Sequence, residues 1–488
     1  MAKISNKFNL RKSFKNGISN GVYIFFVFQL LSLLGYFYPS VSTLVFFLVV
    51  SGTALLAWHK VEYGFLILIF EFFAGHGGHL FEFADLSLRT TLFLIVIFIW
   101  LFNKLTRRTE DKGFFRFSAN SPLLILFSLL LFLIFFGLVN GIINNNDILA
   151  IKDFMNYWYL FLIFPLVDLL KKQDFKERVF AVSKVGIIGI VLLTFIVFIL
   201  FTTDLVEVHD SFYWWWREVV IGKATYAGNN FFRIVTPAHL LILPIFLVLL
   251  GLLSVSEKKE KGGTRCKLVW LAVPASLAVL INFSRAYFLG ILVGLIFLLK
   301  GLNWRRWLIF SLTVVVVLAL EFGLLYALVS GGQVFQGFGY FRERMKTVLA
   351  PEDELSSLTR MNILPVLAEK IKERPFFGRG LGAEVSYQNS LTKEIQTTFH
   401  LDWGYLEIWL ELGLLSLLVY ALILFFIFYR GWRKIKTLPS GNIFEKRLVV
   451  GLLAGLASIA VANLTSPFLF HPLGIFYLVF TAALVNNQ

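Results

Sequence analysis

The sequence predicts an all-α, polytopic helical membrane protein of about 12–14 transmembrane helices, with one large outward loop carrying short amphipathic helices. Three observations carry that reading. Apolar residues make up 58% of the 488 and charged residues only 15%, whereas soluble domains run at roughly 45–50% and about 25%. The mean hydropathy is +0.77. The apolar residues stand in long blocks, without the alternation of a strand or the polar face of a soluble helix. A soluble globular enzyme, a disordered chain and a secreted disulfide scaffold are therefore excluded. The single cysteine, Cys266, has no partner for an internal bridge.

A hydrocarbon core of about 30 Å takes about 20 apolar residues as helix. Candidate spans run over 22–38, 42–58, 61–75, 87–102, 121–142, 155–170, 179–201, 236–253, 268–283, 286–299, 308–328, 404–429, 447–464 and 472–486, fourteen in all. The stretches at 61–75, 155–170, 268–283 and 286–299 are short; with some of them re-entrant or interfacial, the count is about twelve. This divides the chain into transmembrane helices over 1–328, a large outward loop over 329–403 and C-terminal helices over 404–488. The basic first twenty residues lead into an apolar run with no small-residue cleavage site after it, which reads as a first transmembrane helix and not a signal peptide.

Charge sets the direction. The net charge is +15 and the pI about 9.7. With the N-terminus inside, 29 of the 45 Lys and Arg fall in inward segments and six in short outward loops. That is the positive-inside bias, and it predicts both termini on the cytoplasmic side. It also accounts for the basic balance without nucleic acid, for which no compact basic domain exists. The loop 329–403 carries nine Lys and Arg, but long translocated segments escape the rule. A second outward loop, 202–235, carries Trp214, Trp215 and Trp216, the composition of an interfacial aromatic anchor.

Within the long loop, residues 351–374 have helical spacing: Leu355, Leu358, Met361, Ile363, Leu364, Leu367 and Ile371 are apolar, acids lie early and bases late, and Pro375 ends the run. This amphipathic helix is expected along the membrane surface. The following Phe376-Phe377-Gly378-Arg379-Gly380-Leu381-Gly382 has no preceding strand and no Lys-Ser/Thr after it, so it is no phosphate loop of the P-loop or dinucleotide kind. Its glycines suit a turn that brings backbone close to a ligand or another helix.

The chain then re-enters the membrane through a titratable cluster: His400 and Asp402 at the mouth, Glu407 and Glu411 deeper and on one helix face. Ionisable groups at membrane depth are costly and mark function. Arg285 of the Ser284-Arg285 pair sits between two apolar spans with no room for a loop, so it must snorkel or meet an anion. It shares the outward side with Arg342, Arg344, Arg360, Arg374 and Arg379. The guanidinium fork fits phosphate oxygens, and an outward Arg cluster beside a His/Asp pair points to a phosphate-bearing lipid. His76-Gly77-Gly78-His79, with Glu82 and Asp85 beyond, is a weak metal pattern; an outer loop with glycine turns is expected, and neither a metal nor a cofactor.

These features together resemble the O-antigen ligase and O-antigen polymerase superfamily of bacterial membrane glycosyltransferases. The likeness rests on Ser284-Arg285 opening a helix, on Arg360 followed by Pro375 to Gly382, and on Tyr405-Leu406 and Glu411-Leu412-Gly413. It implies a bacterial inner-membrane enzyme with an outward-facing site that acts on a glycan carried by undecaprenyl diphosphate. By position, Arg285 and Arg360 become diphosphate-binding residues, with Arg379 beside them. The family's catalytic His register, eleven residues before Gly413, holds Asp402, and His400 lies two residues earlier.

The chemistry requires a hydroxyl acceptor, a base beside it and cations for the leaving diphosphate. His400 is favoured as the base because imidazole is poised near neutral pH; Asp402 is favoured by register. Two apart on a helix they would diverge, so both face one substrate only if 400–402 is extended. The expected reaction is metal-independent and inverting. A polymerase is the first reading, and a ligase joining the glycan to lipid A-core or another acceptor the alternative. A lipid-linked glycan flippase is a third reading, but it predicts matching inverted repeats, which the sequence lacks.

Overall fold

The computed structural model describes residues 2–106, 121–254, 262–299, 302–349, 355–388, 394–439 and 441–486. The described residues are mostly helix. In order come α1 (Ala2–Phe37), α2 (Pro39–His59), α3 (Val61–Ala74), the short strands β1 (Glu82–Phe83) and β2 (Leu86–Ser87), α4 (Leu88–Thr106), α5 (Pro122–Asn144) and α6 (Asp147–Tyr157). A 3-10 turn (Trp158–Leu162) leads to α7 (Ile163–Leu169), then α8 (Gln173–Thr202), α9 (Ser211–Glu218), β3 (Lys223–Tyr226), β4 (Phe232–Val235), α10 (His239–Leu253), α11 (Gly262–Asn282) and α12 (Arg285–Leu298). The last third holds α13 (Trp304–Val329), α14 (Val334–Leu349), α15 (Leu355–Glu373), β5 (Val385–Gln388), β6 (Ile395–Thr398), α16 (Gly404–Thr437), α17 (Ile443–Ala462) and α18 (Pro472–Asn486). The strands form three separate antiparallel hairpins.

Among the described residues, seven helices are long and apolar enough to cross a membrane: Gly17–Phe37, α2, α4, α5, α8, α13 and α16. Four shorter apolar helices, His239–Leu253, Cys266–Asn282, Arg285–Leu298 and Pro472–Asn486, fall on four of the seven other expected spans, and α3 and α17 lie on those at 61–75 and 447–464. The stretch at 155–170 is not one helix. Pro165 lacks the N–H that would bond back to Phe161, and the segment tightens into the 3-10 turn before α7.

The chain forms two compact units. The first comprises Met1–Lys112, Asp168–Ile242 and Val273–Phe283. Its interior holds an ion pair, Arg89 Nε to Glu71 Oε2 at 2.6 Å, and Arg89 Nη2 also donates to the His76 carbonyl at 2.9 Å. Two buried charges persist this way because each is bonded to a partner. Helix ends expected on the cytoplasmic side meet here: Lys104 pairs with Asp168 at 2.9 Å and Lys172 with Glu62 at 2.8 Å. The tryptophan run is not the anchor expected from composition. It forms α9, in which Trp214 is exposed but Trp215 and Trp216 are buried. Trp215 Nε1 donates to Ser32 Oγ at 3.2 Å, and Trp216 packs over Gly222, where a Cβ would collide with its ring. Consecutive helical residues point in different directions, so only one of three faces outward.

The second unit comprises Gly113–Val167, Leu243–Ala272 and Ser284–Gln488. At its centre α17 and α18 are buried nearly all round, as a helix apolar on every face should be. Small residues let backbones close up: Gly251 of α10 lies on Gly451 of α17, and Gly290 of α12 lies on Ser458. By contrast α13 exposes Leu320, Leu324 and Leu328, an apolar face suited to lipid.

The amphipathic helix α15 departs from expectation. Its apolar stripe, Ile363, Leu367 and Ile371, packs with Ala383, Val385, Leu401 and Leu410 in a small core of the loop. The protein itself covers the face that would otherwise enter a membrane surface.

Candidate active site at the mouth of α16

The framework is built by a broken helix. Gly413 sits at φ 80 and ψ 173 inside α16, a conformation open only to glycine. The break leaves helical backbone groups without their usual partners, and such groups must be satisfied inside the protein. The glycine turn supplies them. Arg379 N donates to Leu410 O at 2.8 Å and Gly380 N to Glu411 O at 2.9 Å, while Leu414 N donates to Pro375 O at 2.9 Å. Gly378, Gly380 and Gly382 all have positive φ. They press on Glu411, on Gly141 of α5 and on Ala150 of α6 respectively, with no room for a Cβ. The turn expected from Gly378 to Gly382 is present, and its neighbours are helices.

The end of α5 holds the other side. Asn145 Nδ2 donates to the carbonyls of Arg379, Gly380 and Leu381 at 3.1–3.3 Å, and Leu381 N donates to Gly137 O at 3.0 Å. Asn146 caps α6 by accepting from Ile148 N and Leu149 N. That fixes α6 and, on its second turn, Asp153. The Asp153 carboxylate accepts from Gly382 N at 2.8 Å.

The β5–β6 hairpin then delivers the chain to α16. Residues 400–403 are not helical, and α16 begins at Gly404. Thr398 Oγ1 donates to the His400 carbonyl at 3.0 Å, and Trp403 Nε1 donates to the Arg360 carbonyl at 3.1 Å. In this non-helical stretch the two candidate bases take different partners. Asp402 Oδ2 accepts from Arg360 Nε at 2.7 Å. His400 Nδ1 lies 4.0 Å from Asp153 Oδ1. The imidazole is 63% exposed while the Asp153 side chain is only 5% exposed, so a solvent-facing imidazole stands over a buried carboxylate.

Beneath Asp153 lie Glu407 and Glu411, both buried. Glu411 and Asp153 share a side-chain hydrogen bond. Glu407 Oε2 and Glu411 Oε1 have no hydrogen-bond partner among the described residues. Burial pushes the Asp153 carboxyl above the usual carboxylate range; the Glu411 bond, the His400 charge and the Gly382 N–H oppose that shift.

The structure thus brings His400, Asp402 and Arg360 to one mouth. Arg379 stands on the glycine turn and pairs with Glu373. Arg285 is the first residue of α12, behind Ser284 in extended conformation; that first turn meets α14 through Phe288 and Phe341, whose ring centroids are 5.2 Å apart. Asp153 was not singled out by the sequence reading, although a carboxylate at the edge of the apolar run 155–170 was the available signal. The His76 loop offers no metal set: His79 pairs with Glu82, His76 is buried, and no metal-holding group of three His, Cys, Asp or Glu occurs among the described residues.

Residues 270–421 match the family model described as O-antigen ligase. This segment is similar to the O-antigen ligase family. It contains Arg285, Arg360, Arg379, His400, Asp402 and Glu411, and it supports the resemblance to the O-antigen ligase and polymerase superfamily. No curated protein matches the chain. The matched segment includes the glycine turn, the break at Gly413 and the His400 mouth, whereas α5 and α6, which brace them, lie before it.

Proposed function

We propose that this protein transfers glycan from an undecaprenyl-diphosphate-linked oligosaccharide on the outer face of the bacterial inner membrane, and that it is a polymerase whose acceptor is a second lipid-linked glycan. The observation that carries the reading is the arrangement at the mouth: an exposed His400 two residues before the Asp402 that holds Arg360 in place. His400 takes the proton of the acceptor hydroxyl. The acceptor oxygen attacks the anomeric carbon, a new C–O bond forms, and the bond to the diphosphate oxygen breaks with its electron pair leaving on the diphosphate. Arg360, with Nε committed to Asp402, presents its terminal nitrogens to phosphate oxygens. Arg285 and Arg379 supply further positive charge as the leaving group becomes more anionic. Attack opposite the leaving group inverts the anomeric centre. The charges are the chain's own, so the reaction proceeds without a metal.

Membrane lipids surround the apolar helices, and the carrier lipid reaches the mouth from the bilayer. The test is turnover of lipid-linked oligosaccharide by the purified chain in nanodiscs. Polymer formation from that donor alone, retained in chelator and lowered roughly 10²–10⁴-fold by His400→Ala, supports the reading. Product only when lipid A-core is added makes the protein a ligase. Full activity of His400→Ala removes His400 as the base.

A further inference from the structure

The carboxylate beneath His400 is built into the fold from outside the segment that matches the O-antigen ligase family. Asp153 lies on α6 and is held by three constraints: the Asn146 cap that starts its helix, the Gly382 N–H that donates to Oδ2 at 2.8 Å, and a hydrogen bond with Glu411. A hydrogen bond between two carboxyl groups needs one proton between them. The Glu411 bond holds the Asp153 carboxyl down, as a bond donated by Glu411 does, so Asp153 accepts from both Glu411 and Gly382 N–H. Its second oxygen is the one that lies 4.0 Å from His400 Nδ1.

The groups facing Asp153 are few. From α16 come Glu411 and Glu407, from its own helix Tyr157, and from the hairpin exit His400. Of these only the imidazole can carry positive charge. Around His400 stand Asp153 and, two residues on, Asp402, which is bonded to Arg360. Asp402 is thus engaged elsewhere, and the buried carboxylate that addresses the ring is Asp153.

We propose that Asp153 is the positioning residue of the base: it orients His400 through Nδ1, presents Nε2 to the acceptor hydroxyl, and stabilises the imidazolium formed when that proton arrives. This rests on His400 being the base of the transfer. Catalytic hydrogen bonds are often long without substrate and tighten in the reacting complex, so a separation of 4.0 Å fits a contact completed on binding. Electron and proton movements stay those of the transfer: the proton moves from the acceptor oxygen to Nε2, the glycosidic bond forms, and the diphosphate leaves with its electron pair. Asp153 exchanges no atom. It contributes fixed negative charge beside the positive charge that develops.

A purely structural role, anchoring the Gly382 turn, predicts something else. Asp153→Asn keeps an oxygen for Gly382 N–H and the same volume, and removes the charge. The full chain in nanodiscs, supplied with lipid-linked oligosaccharide, separates the two. A positioning role predicts that Asp153→Asn lowers kcat roughly tenfold to a hundredfold with KM nearly unchanged, and moves the acidic limb of the rate profile about one pH unit lower. In a His400→Ala background Asp153→Asn causes no additional loss, because its effect runs through the missing ring. Wild-type kcat and an unmoved profile in Asp153→Asn overturn the proposal, and so does an equal fold-loss in both backgrounds. Full activity of His400→Ala alone refutes instead the reading of His400 on which this rests.

Discussion

Arg360 Nε donates to Asp402 Oδ2 across 2.7 Å, joining α15 to the residue two places before α16. Asp402 is thereby an anchor for a guanidinium, and the imidazole at 400 is left facing the open mouth. Arg360→Lys keeps the charge but has one nitrogen to serve both Asp402 and a phosphate, so turnover should fall roughly tenfold to a hundredfold. Asp402→Asn still offers an oxygen to Arg360 Nε and should lose roughly tenfold or less. Steady-state turnover of lipid-linked oligosaccharide measures both. Should Asp402→Asn prove as inactive as His400→Ala, the carboxylate is the base after all.

The division of labour between 400 and 402 shows where sequence stops being informative. The glycine turn and the helix α15 were legible in local composition, and His400 and Asp402 stood out there as candidates. Which partner each would take was not, since Asp153 is 247 positions before His400 in the chain and comes near it only through α6. The fate of the α15 stripe was hidden for the same reason: an amphipathic face does not say whether lipid or Leu401 and Leu410 will cover it. The tryptophan run misled because frequency at interfaces says nothing about which of three consecutive side chains points inward. The break in α16 left a trace in Glu411-Leu412-Gly413, but a glycine within a helix is common and its positive φ follows from the turn packed on it.

That break gives a stability prediction. A Cβ at Gly413 would require a left-handed backbone and would collide with the Phe376 carbonyl. Strain of this kind costs about 1–3 kcal/mol before the collision is counted. Gly413→Ala should therefore lower the melting temperature in detergent by several degrees and abolish turnover, because the turn carrying Arg379 loses its hydrogen bonds. Gly441→Ala, where nothing lies within 4 Å, is the control and should melt as wild type does. Equal melting of the two variants would show that the break can heal.

The first unit carries a separate acid sensitivity. His76 is buried, and its pKa is lowered to about 3 by burial first, and then by the charges of His239 and Arg89. In the unfolded chain an imidazole takes its proton near pH 6.5. The folded protein holds fewer protons than the unfolded chain between these values, so stability is intact above pH 6.5 and declines as pH falls toward 3. The cost is about 1.4 kcal/mol per pH unit for this one group. His76→Asn, which tolerates the positive φ found there, should flatten the decline in melting temperature between pH 6.5 and 5, whatever its effect at pH 7. An unchanged slope would mean that His76 reaches water in the folded state.

Sidedness is the last prediction, and the second unit gives it structural support. One end of its helices gathers Ser121, Arg430 and Asn486, with Lys434 paired to Glu445 at 3.1 Å. The opposite end gathers Asn145, Gly382 and Asp153 around the mouth, with Asn463 packed against Gly404. The basic end is the one that the positive-inside bias assigns to the cytoplasm. In a Cys266→Ser background, Ser386→Cys on β5 should react with an impermeant thiol reagent in intact cells, and Lys436→Cys near the end of α16 should react only after lysis. Both positions are exposed in the protein, so a silent site reports the membrane and not burial. Labelling of Lys436→Cys but not Ser386→Cys in intact cells would invert the orientation and place His400 on the cytoplasmic side, where an outward-facing transfer is impossible.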